Sequence, residues 1–152
     1  MSHRFRFKAL RQYREFLLKR EQIALAQALQ RLEAGEVKRA QARERLKAES
    51  IHFEKRQCEG MGVPDFLAYG DRIQALEQHL LRLEREVLEL RSEVESARRD
   101  VLTRERDLRA LTILEERERE SYIRDMRKKE QGCIDEFAIL GTSRRKDHSV
   151  SS

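Results

Sequence analysis

The chain is poor in residues that build a compact globular core or interrupt a helix. Its 152 residues include no tryptophan, one proline, six glycines and only 6% aromatic residues, whereas 40% are charged. So little aromatic mass argues against an ordinary packed globule. No apolar run approaches the roughly 20 residues needed to span a membrane. Two cysteines provide no disulfide framework, so we expect a reducing, cytoplasmic compartment.

Signatures of catalysis and metal binding are also missing from the sequence. The four histidines are scattered, and none stands at metal-ligand spacing from a cysteine or carboxylate. There is no glycine-rich phosphate loop and no nucleophile motif. Carboxylates are abundant, but a helical rod offers no cleft that would desolvate them for acid-base chemistry. We therefore expect no enzymatic activity, no cofactor and no metal ion.

What the chain does contain is a regular pattern of helix-forming residues. Ala, Glu, Lys, Leu and Arg together make up more than half of the sequence. From Phe66 to Leu111, apolar residues alternate at spacings of three and four, and Arg104 is the single interruption. This alternation is a heptad seam, the signature of a coiled coil. A helix with one such stripe needs a partner helix to bury it.

The first half of the chain supplies that partner. It repeats the alternation less regularly from Leu25 to Phe53. Folding the halves antiparallel pairs Leu25 with Ala97, Leu32 with Leu90, Ala42 with Leu80, Leu46 with Leu76 and Phe53 with Tyr69. This register is centred on Met61, inside EGMGVPDF, which holds the only proline and two of the six glycines. Glycine ends helices and proline is tolerated at their start, so this segment predicts the turn.

The sequence thus predicts an all-α fold, a long antiparallel two-helix coiled-coil hairpin whose second helix is longer than the first. Residues 1–140 form one hairpin, with helix 1 at about 5–57, the turn at about 58–63 and helix 2 at about 64–138. Residues 141–152 are expected to be a disordered basic tail. We expect a monomer in which residues after about 120 extend beyond helix 1.

The seam looks weaker near the N-terminus. Leu10, Tyr13, Leu17 and Ala24 lie one position out of phase with Leu25, which predicts a stutter. The same end is basic, because residues 1–20 contain seven Lys or Arg and one Glu. A basic end could bind an acidic protein surface or nucleic acid. A nucleic-acid-binding helical hairpin and a generic coiled-coil scaffold or chaperone therefore remain alternatives.

Three segments carry a more specific signal: RFRFKAL at 4–10, DFLAYGDRIQALE at 65–77 and IDEFA at 134–138. In this order and spacing they resemble the FliJ family, the coiled-coil stalk component of the bacterial flagellar type III export apparatus. The resemblance covers about residues 4–140. Injectisome stalk proteins share the architecture and are the close alternative.

The resemblance implies a non-enzymatic stalk for protein transport in flagellum biogenesis and motility. Its fold would resemble the rotary ATPase gamma subunit, and its location would be cytoplasmic, peripheral at the inner membrane through the export apparatus. The end with both termini would enter a hexameric export ATPase, and the matching positions are Phe5, Phe7, Leu10, Arg11, Asp135, Glu136 and Phe137. The cytoplasmic part of the export gate would contact the early second helix at Tyr69, Arg72, Leu76, His79 and Leu83. Members of the family also bind export chaperones.

Overall fold

The computed structural model describes residues 6–150, and side-chain exposure for residues 6–147. It contains two helices, α1 (Lys8–Glu59) and α2 (Val63–Val150). They pack antiparallel as a hairpin, and α2 is the longer, with 88 residues against 52. This confirms the predicted fold class.

The turn between the helices is three residues long and is made by glycine. α1 ends at Glu59, and Gly60 has a φ of 97°, a left-handed conformation that favours glycine at a helix C-terminus. The Gly62 carbonyl accepts a hydrogen bond from the Phe66 N–H at 3.0 Å, which starts α2. Pro64 lies in this first helical turn, where its missing N–H costs no helical hydrogen bond. Met61, the residue on which the predicted register is centred, is the middle residue of this turn.

The chain divides into two compact units. The turn unit consists of residues 16–105, and the terminal unit consists of residues 1–15 and 106–152. Each unit contains part of α1 and part of α2, so each has its own interhelical contacts. The units are therefore described one at a time.

The core of the turn unit is the predicted seam. Every predicted seam position is buried or half-buried between Leu25 and Phe53 and between Tyr69 and Arg104. Val87 is 1% exposed and Val94 is 3% exposed. The Phe53 and Tyr69 rings, an expected pair, stack with their centroids 5.6 Å apart. The heptad frame therefore identifies the buried faces of both helices.

One glycine in this seam permits a close approach of the helices. A Cβ atom added at Gly35 would lie 2.7 Å from Leu90 Cδ1 and 3.7 Å from Val87 Cγ2. A larger side chain would have to displace Leu90. Gly35 is thus a packing residue in the middle of α1, which offsets the roughly 1 kcal/mol that glycine costs a helix.

Ion pairs border the same seam. Arg43 pairs with Glu84 at 3.2 Å, and Arg91 pairs with Glu36 at 3.5 Å. These side chains are largely exposed, so each pair contributes about 1 kcal/mol or less. Apolar burial therefore supplies most of the interhelical free energy, and the ion pairs refine the register.

The predicted stutter is wrong. Before Leu25, half-buried positions continue the alternation of three and four without a slip, from Phe7 just ahead of α1 through Arg11, Arg14, Leu18 and Glu21. Leu10 and Tyr13 are 38% and 57% exposed, and Ala24 is exposed too, although Leu17 is half-buried. Polar residues can occupy the seam here because they have partners on α2. In the turn unit, for example, Glu21 pairs with Arg104 at 3.8 Å.

The far end of α2 differs from the predicted boundaries. The helix continues to Val150, whereas the sequence predicts an end near residue 138 and a disordered tail from residue 141. No proline interrupts this stretch, and one glycine in a helix costs only about 1 kcal/mol. Every side chain from Ala138 to Asp147 is exposed. Local helix propensity, rather than burial, therefore determines how far this end stays helical.

The seam assignment can be tested with one matched pair of substitutions. Leu80 is half-buried in the seam, whereas Arg85 is exposed. Leu80→Asp should lower the free energy of unfolding by about 3 kcal/mol or more, because it buries an unpaired charge. Arg85→Asp should change it little. Thermal melting followed by circular dichroism measures both, and comparable melting temperatures would show that the frame is wrong.

Candidate docking surfaces

The last part of α2 in the terminal unit exposes an apolar face. From Ser121 to Asp147 every side chain except Tyr122 is exposed. Phe137 is 77% exposed, Ile134 60% and Met126 40%. Side chains this apolar gain free energy when they leave water, so the face is suited to contact with another protein.

Part of this face forms a groove. An open groove of about 420 Å³ is lined by Met126, Lys129, Glu130, Cys133, Ile134 and Phe137. Its walls are apolar, and one cation and one carboxylate stand among them. The predicted residue Phe137 therefore lies in it, whereas the predicted Asp135 and Glu136 do not. Asp135 accepts a hydrogen bond from Gln131 at 3.0 Å.

Among the other predicted ATPase-contact residues, Phe7 directly precedes α1, and Leu10 and Arg11 lie in its first turns, in the same unit. Phe5 lies outside the described residues. Phe7 is half-buried, and the Arg6 guanidinium carbon is 4.8 Å from its ring centroid. Leu10 is 38% exposed. Of Phe7 and Leu10, Leu10 has the more accessible side chain.

Arg11, in contrast, is occupied by contacts within the chain. It donates hydrogen bonds to Glu115 and, at 2.8 Å, to the Thr112 hydroxyl. Its neighbour in the seam, Arg14, donates to the Asp107 carbonyl oxygen at 2.7 Å. Both arginines point towards α2, so the structure gives them a role in holding α1 to α2.

Within the terminal unit the structure does not bring the two halves of the predicted ATPase-contact set together. The segment from Arg6 to Arg14 contacts α2 at residues 107–118. Asp135, Glu136 and Phe137 lie about 20 residues beyond Glu115, which is about 30 Å along a helix. The described predicted residues therefore lie in two separate places, Phe7, Leu10 and Arg11 near the start of α1 and Asp135, Glu136 and Phe137 on α2.

Near the turn, two predicted gate-contact residues are tied to α1. The Tyr69 hydroxyl is 3.1 Å from His52 Nδ1, and Arg72 pairs with Glu49 at 2.8 Å. The Arg72 guanidinium carbon also lies 5.0 Å from the Tyr69 ring centroid. These side chains form one cluster that fastens the helices next to the turn.

The remaining predicted gate-contact residues share a groove in the turn unit. Leu76, His79 and Leu83 line it from α2, and its volume is about 400 Å³. Leu83 is only 7% exposed, so it forms part of the floor, whereas His79 is exposed at the side. A shallow groove with an apolar floor and a polar rim can accept a side chain or a helix of another protein.

Sequence reasoning missed the α1 side of this groove. Lys38, Gln41, Ala42 and Arg45 line it from α1, and Glu86 adds a carboxylate from α2. The antiparallel register contains the missing signal, since pairing Ala42 with Leu80 places the neighbours of Ala42 beside His79 and Leu83. The groove is thus a two-helix feature, with Lys38 and Arg45 on one side.

Neither groove is built for chemistry on a bound metal. Within residues 6–147, no three His, Cys, Asp or Glu side chains come together in a way that could hold a metal ion. In the part of the chain that the structure describes, no helix is long and apolar enough to cross a membrane. What the described surfaces offer is apolar area bordered by charge, which is the chemistry of protein docking.

A family model described as Flagellar FliJ protein matches residues 2–147. The chain belongs to the flagellar FliJ protein family. This FliJ-family chain is therefore a component of the flagellar export apparatus, and the family is a non-catalytic one. Comparison with curated proteins and with solved structures gave no match.

The contacts of Arg11 generate a prediction about the start of α1. Arg11 and Glu115 are 28% and 18% exposed, so their interaction is partly shielded from water. Arg11→Ala should cost about 1 kcal/mol, and amide exchange near residues 8–14 should quicken about fivefold. Arg31→Ala is the matched control, because its pair with Glu93 spans 3.7 Å with both side chains 55% exposed. Equal effects of the two substitutions would contradict a special role for Arg11.

Proposed function

We propose that this FliJ-family chain is the stalk of the flagellar type III export apparatus. Its terminal unit enters the central pore of a hexameric export ATPase, and α2 near the turn contacts the cytoplasmic part of the export gate. The exposed apolar face of α2 that contains Met126, Ile134 and Phe137 is the observation that carries the proposal. The membership of the chain in a flagellar export family supports it.

Exposure of this apolar face to water is unfavourable, and this favours the binding of a partner protein that covers it. Burying a side chain such as Phe137 or Ile134 gains about 1.5 to 3 kcal/mol. Just before α1, Arg6 pairs with Glu118 of α2 at 3.5 Å, and Tyr122 further along α2 is half-buried. The apolar side chains after Tyr122 are exposed, so they are available to another protein.

Charge contributes less to this contact than the basic N-terminal sequence suggests. Arg6, Arg11 and Arg14 each contact α2 within the chain. Lys8 is exposed and can still attract an acidic partner at long range. The groove around Phe137 is thus the stronger candidate for the contact that decides affinity.

A ring binds one stalk through several equivalent subunit surfaces, so no single tight pocket is expected. Individually weak contacts suffice, because a stalk that binds the closed ring better than free subunits favours assembly by mass action. ATP turnover then rises with the population of closed rings. The stalk needs no catalytic group for this effect.

The groove lined by Leu76, His79 and Leu83 is the proposed gate contact. It combines a partly buried apolar floor with Lys38 and Arg45 from α1 and Glu86 from α2. Contact through side chains of both helices would make gate binding depend on the folded hairpin. The cluster of Tyr69 and Arg72 supports this groove by fastening α1 to α2 next to it.

The ATPase contact is tested by a matched pair of substitutions. Phe137→Asp places a charge in the groove and should abolish stimulation of the partner ATPase while the helices stay folded. Ile139→Asp makes the same chemical change at a residue that is 68% exposed and does not line that groove, and it should retain most of the stimulation. ATP hydrolysis is measured at a ring-subunit concentration low enough for assembly to limit the rate. Full stimulation by the Phe137 variant would refute the proposed contact.

Orientation is tested by comparing the two units. Deletion of residues 2–10 should also abolish stimulation, because the start of α1 belongs to the end that enters the ring. His79→Asp should leave stimulation unchanged and weaken binding to the isolated gate domain. Loss of stimulation only in the His79 variant would mean that the stalk binds in the opposite orientation.

A further inference from the structure

In the turn unit α1 has a second heptad stripe, on the face turned away from the seam. It runs from Phe16 to Ala48 with the same alternation of three and four, and all ten of its positions are exposed. Phe16 is 60% exposed, Ile23 58% and Val37 51%. We call it the outer stripe.

The outer stripe is poor in charge, which distinguishes it from an ordinary solvated face. Only Arg20 and Glu44 among its ten positions are charged, in a chain that is 40% charged. The intervening positions are Gln or Ala. The exposed leucine stripe of α2 is richer in charge. Its leucines are Leu81, Leu88 and Leu102, and the heptad positions between them are all charged: Glu84, Arg91, Glu95 and Arg98. Low charge thus distinguishes the outer stripe from the exposed leucine stripe of α2 in the turn unit.

The spacing of the outer stripe indicates what kind of surface covers it. Residues alternating at three and four positions along a helix match the side chains of one further helix. A lipid surface would need no such repeat and would favour a broader apolar face. Alanines at positions such as Ala34 and Ala48 leave room for a second backbone to approach.

Charged residues beside the outer stripe indicate which charge the side chains of the partner helix should carry. Lys38 and Arg45 directly follow stripe positions, and Lys19 and Lys47 directly precede them. None of the four makes an ion pair with another residue in the described part of the chain. On the helix surface these four residues belong to the two rows of side chains that border the stripe. Those rows also contain Arg31, which pairs with Glu93, and a single acidic residue, Glu33, so the flanks are mainly basic. A second copy of this chain would bring like charges together, whereas acidic flanks would be attracted.

We propose that the outer stripe of α1 docks an amphipathic α-helix of another protein, with a heptad apolar stripe flanked by Asp and Glu. The partner would add a third helix to the hairpin in the turn unit. Lys38, Gln41 and Arg45 also border the groove proposed for the gate, whereas Phe16, Ile23 and Val37 do not line it. The largest apolar residues of the stripe therefore lie outside the gate groove, and the basic flank at Lys38 and Arg45 is shared with its rim.

A synthetic peptide can probe this chemistry directly. The probe is a fluorescent four-heptad peptide with leucine and isoleucine on one stripe and glutamate on both flanks, whose like charges discourage self-pairing. Fluorescence anisotropy should show saturable binding to the full chain. A control peptide with lysine flanks should bind at least about tenfold more weakly, since its charges repel Lys38 and Arg45.

Two substitutions locate the binding face. Val37→Asp should weaken binding of the glutamate peptide at least about tenfold, and Ile23→Asp should do the same. Leu88→Asp is the matched control, because Leu88 is 62% exposed on α2 and lies outside the outer stripe. It should change binding by less than about twofold. Circular dichroism should show unchanged helicity in all three variants, because the substituted side chains are exposed.

Several results would overturn the proposal. The first is an absence of saturable binding by the glutamate peptide, and the second is binding of the lysine peptide as tight as that of the glutamate peptide. The third is that Val37→Asp and Leu88→Asp weaken binding of the glutamate peptide equally. If sedimentation showed a dimer of the chain that Val37→Asp dissolves, a second copy would be the occupant instead. Binding of anionic vesicles that Val37→Asp abolishes, with no binding of the glutamate peptide, would assign the stripe to a lipid surface.

Discussion

Neither helix of this protein can keep its apolar seam out of water unless the other helix covers it. That constraint accounts for the antiparallel packing, since Val87 and Val94 are almost fully buried only because α1 lies over them. Gly60 then fixes where the chain reverses, and the reversal determines which residues can face each other. Because α2 is 36 residues longer than α1, packing against α1 cannot bury all of its apolar side chains. Docking surfaces arise from what the seam leaves uncovered.

Heptad periodicity predicted the fold because burial dominates the free energy of a two-helix hairpin. The same reasoning failed at the start of α1, where it placed Leu10 and Tyr13 in the seam. Arg11 and Arg14 occupy that face because each forms hydrogen bonds with α2, to Glu115, Thr112 and the Asp107 carbonyl. These hydrogen-bond partners lie about a hundred residues away in sequence, so the local pattern of apolar residues cannot predict them. Polar residues in a seam can fix register at some cost in stability, a role that polar seam residues play in other coiled coils.

The docking surfaces were predictable in part. Resemblance to the family singled out Leu76, His79 and Phe137, which the structure places in two grooves. It missed Lys38 and Arg45, because the α1 side of a groove depends on register rather than on any local motif. The outer stripe lies on one helix, so the heptad spacing of its residues can be recognised in the sequence alone. Only its exposure, together with burial of the true seam, shows that no part of the turn unit covers it.

The proposed function requires the terminal unit to bind the export ATPase and the turn unit to bind the export gate. A photo-crosslinking amino acid placed at Phe137 or at His79 would report this directly, with the export ATPase and the gate domain present together. We expect the group at Phe137 to form adducts with the ATPase and the group at His79 to form adducts with the gate domain. ATPase adducts from His79 and gate adducts from Phe137 would contradict the proposed orientation.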